Sequence, residues 1–187
     1  GDHLAILGYK VDTSITPHLD WTKDHGPNFT DFSAVPFRLG TGNHVGDVFP
    51  VDVIEVPASI GYLQSNTNLC HKVLDFAKQP FAESLRFPGI LAKLGIVNRI
   101  WLTPELCDCT SMIRLAEVMV RRGLPIMNLS FHSTTLVAGL TPFVSTSAEE
   151  RKFLRRIKDF LRYAKDSGYV FHTLSTAAHA LAMEDGI

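Results

Sequence analysis

Three short polar clusters in this chain close apolar runs, and they carry the side chains best suited to moving protons. Asp12, Thr13 and Ser14 end GYKVDTSI (8–15). Thr103, Pro104 and Glu105 follow IVNRIWL (96–102), and His132 and Ser133 follow PIMNLSF (125–131). In parallel α/β architectures, reactive groups gather at the C-terminal ends of strands and in the loops after them. An imidazole at such a place can act as general acid or base near neutral pH, and a carboxylate can orient it. Each residue also has a plain structural role. Asp12 before Thr-Ser suits an Asx turn, Glu105 suits the first turn of a helix, and a lone His after an apolar run suits a hydrogen-bonded core position. His18 and His25 lie in a loop and read as solvent-facing. His172 falls in a strand and His179 in the next helix, so neither forms an obvious pair.

Several other chemistries lose their usual support. The patterns H-E-x-x-H, C-x-x-C, G-x-S-x-G and the phosphate-binding loop are all absent, which weighs against zincin, zinc-ribbon, α/β-hydrolase and nucleotide-triphosphate readings. Asp52 and Glu55 are three apart in a strand and face opposite sides, so they make no direct glycosidase-type pair. The three cysteines, Cys70, Cys107 and Cys109, have no disulfide-framework spacing. In a helix the side chains of C-x-C diverge by about 200°, so buried, reduced thiols are expected. Such thiols favour a reducing compartment.

The elements that must position these groups are clearest in the second half. After IVNRIWL, the stretch TPELCDCTSMIRLAEVMVRRG reads as a helix over 103–123, with Thr103 as N-cap and Pro104 at its first position. PIMNLSF is a strand by composition. A capping box from Ser147 to Glu150 then opens a helix over 147–168, whose Phe153, Leu154, Ile157, Phe160, Leu161 and Ala164 share a face. YVFHTL (169–174) reads as a strand, and 175–183 as a last helix. The repeating strand-helix order, about 30–40 residues per unit, predicts parallel strands with crossover helices, in a (β/α) barrel or an open doubly wound sheet. Earlier, 8–15 and 51–57 read as strands, 67–79 and 88–94 as helices, and 16–49 as a long Pro/Gly/Asp/Asn-rich loop.

Composition sets the bounds. At 187 residues with 45% hydrophobic and 20% charged, one ordinary globular domain spanning 1–187 is expected. A net charge of −1 gives no electrostatic case for nucleic acid. No apolar run reaches the roughly 18–20 residues a membrane span needs. The opening GDHLAILGYKV lacks Met and has an apolar segment already under way, which reads as a cut-out or processed piece. The cysteines lean the localisation towards cytoplasm, with periplasm or exterior open if a leader was removed.

The stretches GYKVDTSITP, RIWLTPE, NLSFHSTTLVAGLTPFV and FLRRIKDFL…FHTLS together resemble the later portion of polysaccharide deacetylases, carbohydrate esterase family four, related to chitooligosaccharide deacetylases. The resemblance implies a distorted (β/α) barrel, and metal-dependent removal of N- or O-acetyl groups from an acetylated sugar or polysaccharide. Ser130-Phe131-His132 matches the family's late histidine motif, which makes His132 the general acid, with Ser133 beside it at the substrate. Asp12 matches the family's Asp-containing motif. HLDW offers Asp20 and Trp21 as an alternative match, the Trp walling a substrate groove, and the choice stays open.

The departures are as informative. The family's paired-aspartate motif, its H-x-x-x-H-type motif and an arginine motif do not appear. The resemblance implies a divalent metal, zinc by the family pattern, with its ligands and the catalytic base upstream of Gly1. The expectation is therefore a partial barrel with mostly parallel strands that lacks its N-terminal strands. Its sheet edges would be exposed and open to homodimer pairing, and the isolated chain would be inactive. The alternative is a non-catalytic, carbohydrate-binding or structural relative of the barrel.

Overall fold

The computed structural model describes residues 2–39, 53–66, 69, 70, 72, 73, 76 and 97–184. Its spine is the extended stretch from Val53 to Tyr62, in which every residue is buried. A strand covered on both faces favours continuous apolar residues, and VIEVPASIGY is largely apolar, with two buried polar side chains, Glu55 and Ser59. β1 (Val11–Asp12) pairs parallel with β3 (Ile54–Glu55), Val11 opposite Ile54 and Asp12 opposite Glu55. β2 (Phe37–Arg38) pairs antiparallel with the other edge of β3. Further along the spine, β4 (Ile60–Tyr62) pairs antiparallel with β5 (Arg99–Trp101).

One of these three pairings is parallel and two are antiparallel, where mostly parallel strands were expected. The long loop contributes β2, which runs antiparallel to β3. Past Pro57 the second half of the spine meets 99–101 running the other way. Backbone bonds still link the extended regions laterally in chain order. Val56 N donates to Asp12 O, Leu102 N to Ser59 O, and Ser130 N to Leu102 O.

Two expected strands are extended but unladdered. In 125–131, Pro125 has no N–H to give, and Asn128 N donates to the Ser59 hydroxyl at 2.8 Å rather than to a neighbouring carbonyl. In 169–174, Tyr169 N turns back to Ala164 O, while Val170 and Phe171 remain 77% and 57% exposed. Of the helix expected over 67–79, Leu69, Cys70, Lys72, Val73 and Phe76 are helical. The remainder, the helix expected over 88–94 and residue Asp52 lie outside the described residues.

A short α1 (Asp2–Ile6) opens the described chain. α2 (Cys109–Arg121) begins later than expected, because Asp108 rather than Thr103 is its cap: the Asp108 carboxylate accepts from Ser111 N at 2.7 Å. The TPELCD stretch instead forms a turn, closed by Cys107 N donating to Thr103 O. Met112, Leu115, Ala116 and Met119 bury one face of α2 against Leu102 and Phe160. Gly61 lets α2 approach β4, since a Cβ there would sit 3.3 Å from Leu115 Cδ1. α3 (Ser147–Asp166) is capped one residue earlier than the sequence suggests, by a reciprocal box of Thr146 and Glu149. That shift leaves Glu150 to accept from Ala138 N at 2.9 Å and tie the preceding loop to the helix. α4 (Leu174–Glu184) lays Ala178 and Leu181 on Ile54 and Val56.

Cys70 is buried and Cys107 and Cys109 are half-buried, all three as free thiols. Burial pushes each of them above the usual thiol range. No helix among the described residues is long and apolar enough to cross a membrane.

Candidate active site

His132 stands at the end of the extended segment, just before a 3-10 turn over Ser133–Leu136. The turn folds back so that three groups from residues 132 and 135 meet one carboxylate, that of Glu105. The His132 backbone N–H donates to Glu105 Oε1 at 3.0 Å. Its ring Nδ1 lies 3.0 Å from both Oε1 and Oε2. The buried Thr135 hydroxyl donates to Oε1 at 2.6 Å. Glu105 reaches this place because the TPELCD turn is held from α3, where Arg156 Nη1 donates to the carbonyls of Pro104 at 2.5 Å and Cys107 at 3.3 Å. Phe131 anchors the other side with its ring edge against buried Phe153, centroids 5.7 Å apart.

The electrostatics follow from those donors. Burial by itself raises the Glu105 carboxyl, but the Thr135 hydroxyl, the His132 N–H and the imidazole together hold it below the usual glutamate range. An ionised carboxylate has no proton to give, so Nδ1 carries the hydrogen in this pair. That assigns the outward nitrogen, Nε2, as the one that exchanges protons. The Glu105 side chain is 6% exposed while that of His132 is 71% exposed. A buried carboxylate behind an exposed imidazole fixes the ring direction, as a general acid or base requires. Phe143 lies parallel to the imidazole, with centroids 6.1 Å apart and planes at 12°. Leu136, Val137, Leu140 and Phe143, which follow His132 in the chain, are exposed.

The other sequence candidates lie elsewhere. Ser133 is exposed on the first residue of the turn. Asp12, at the end of β1, accepts from Thr13 N at 2.8 Å and from the Ser14 hydroxyl at 2.9 Å, the local turn pattern its sequence suggests. Its bonds go to Thr13 and Ser14 and those of His132 to Glu105, so the structure does not join these two residues. Asp20 and Trp21 belong to a compact loop in which Asp20 bridges to Asn28 and accepts from Thr22 N. Trp21 is 37% exposed and its indole N–H donates to the Thr16 hydroxyl at 2.7 Å. Gly26 is required there, because a Cβ would lie 2.6 Å from Trp21 Cβ.

Glu105 and Thr135 were not singled out as partners of His132 by the sequence. Position at a strand end was the one signal for Glu105, and a helix-start role masked it. Among the described residues no group of three or more His, Cys, Asp or Glu side chains is arranged to hold a metal ion. The ligand set the resemblance implies is thus not met by these residues. Compared with known proteins, the chain matches no family model, no curated protein and no solved structure.

Proposed function

We propose that this chain carries the proton-donating side of a carbohydrate deacetylase, with His132 as general acid and Glu105 as the carboxylate that orients it. One observation carries the reading: an exposed imidazole whose Nδ1 is held at 3.0 Å by a buried, ionised carboxylate. In N- or O-deacetylation the departing amine or alcohol must be protonated, and Nε2 is placed to deliver that proton. Glu105 offsets the positive charge on the ring before transfer. The Phe143 ring, parallel to the imidazole and partly exposed, offers an apolar face of the kind sugar rings stack on. The motif segments around His132 and the lateral order of the extended segments support the same family and its partial barrel.

The divalent metal of that family finds no ligand set among the described residues. The 187-residue chain alone is expected to release little acetate from acetylated chitooligosaccharide. A longer form that brings metal ligands is expected to release it at a rate that His132→Ala lowers by about 10²–10⁴-fold. An unchanged rate in His132→Ala would overturn the assignment of the acid. Glycan binding without acetate release in every form would favour the non-catalytic, carbohydrate-binding alternative.

A further inference from the structure

The outward face of α3 has no part in the site just described. Seven Lys or Arg and four Asp or Glu fall within this helix, in a chain whose overall net charge is −1. The cations are not scattered. Arg151, Arg155, Lys158, Arg162 and Lys165 recur at steps of four and three residues, and all are exposed. At 3.6 residues per turn they share an arc of about 80° and a stripe about 21 Å long. No acidic residue of α3 falls inside that arc. The stripe lies opposite the buried Phe153, Phe160 and Ala164.

The two borders of the stripe differ. Asp159 and Asp166 line one of them, and Asp159 pairs with Arg162 at 3.3 Å in an exposed contact, which is worth little in water. Leu154 and Leu161 line the other, 42% and 37% exposed. The 169–174 segment brings Phe171 to the helix, where it lines one open cleft with Lys158, Leu161, Arg162, Lys165 and Asp166. Val170 next to it is the more exposed, at 77%. Cations flanked on one side by exposed leucine, valine and phenylalanine form the pattern of a helix that lies on a bilayer surface. A soluble polyanion would engage the cations and leave those apolar side chains in water.

We infer that the outer face of α3 with Val170 and Phe171 docks on an anionic phospholipid bilayer. The cations face the headgroups and the apolar border enters the acyl boundary. Charge complementarity supplies the attraction, falling with salt, and the apolar border supplies the choice of a bilayer over a dissolved polyanion. Such docking would hold the chain at a membrane surface without any spanning segment.

The test is co-sedimentation of the 187-residue chain with two kinds of vesicle, phosphatidylcholine alone and equal parts phosphatidylcholine and phosphatidylglycerol. Binding is expected only to the anionic vesicles, and added salt should weaken it. The triple variant R155E/K158E/R162E should bind roughly a hundredfold more weakly, with its helical circular dichroism retained because all three side chains are exposed. Phe171→Ser should weaken vesicle binding while leaving any binding to soluble polyphosphate unchanged. Equal partition onto both vesicle types, or full binding by the folded triple variant, would overturn the inference. So would polyphosphate binding as tight as vesicle binding with Phe171→Ser without effect on either, which would assign the stripe to a soluble polyanion.

Discussion

Glu105 and Glu55 are both carboxylates withdrawn from solvent beside strands, and the protein treats them in opposite ways. Glu105 is met by three donors and opens onto an exposed imidazole. Glu55 is fully buried, receives Ile15 N at 3.0 Å on Oε1, and has no partner for Oε2 among the described residues. Its neighbour across the parallel pair is a second carboxylate, Asp12. Burial first, and then the Asp12 charge, push Glu55 from 4.5 up to about 7, against the opposing bond from Ile15. Burial raises both acids; the number of donors decides whether that rise survives. One site is organised to hold negative charge and the other to resist it.

The largest effects are expected at Glu105. Glu105→Ala strands the buried Thr135 hydroxyl and the His132 N–H together, and is expected to cost about 3 kcal/mol in urea unfolding. Glu105→Gln keeps an acceptor for both and should cost about half as much. If the two variants were equally stable, the donors would not be what holds the carboxylate.

At Glu55 the sign reverses. The rise from 4.5 to about 7 corresponds to roughly 3 kcal/mol as an upper figure. Between those values the folded protein keeps a proton that the unfolded chain has lost, so stability falls as pH rises through that window and levels off above about 7. Glu55→Gln is therefore expected to flatten this part of the profile and to stabilise the protein at pH 8, read as a higher Tm. Glu105, held low, contributes stability above its unfolded value that is lost as the pH drops through its folded one. A profile that rises from pH 5 to 7 in the wild type and not in Glu55→Gln would contradict the assignment.

Two smaller changes refine each side. Thr135→Val keeps the shape and removes one charge-assisted bond, with an expected loss of about 2 kcal/mol. It should also raise the Glu105 titration followed by carboxyl NMR. Asp12→Asn removes the like charge beside Glu55 and should lower the Glu55 titration, with a stability gain of about 1 kcal/mol near pH 7. If Glu55 titrated unchanged in Asp12→Asn, burial alone would account for its rise.

Much of this could be read in advance where the governing contacts are local. The apolar spacing of α2 and α3 was visible because helical neighbours lie three or four residues apart, and both helices formed. Their starts were misplaced by one element of local chemistry each. Asp108 outcompeted Thr103 as a cap, and Thr146 outcompeted Ser147. The strand at 125–131 was overread, because apolar composition marks an extended chain but does not supply a ladder partner.

The chain's own order of residues placed His132 at the end of an apolar segment and Asp12 in a turn with Thr13 and Ser14, since both depend on immediate neighbours. Folding alone brought Glu105 to His132 across 27 positions and set Glu55 beside Ile15 across 40. A carboxylate's charge depends on how many donors surround it and how little water remains, and both are properties of packing. For that reason a residue that reads as a helix-start acid became the partner of the imidazole. A residue that reads as an ordinary strand acid became a buried acid that ionises only near pH 7.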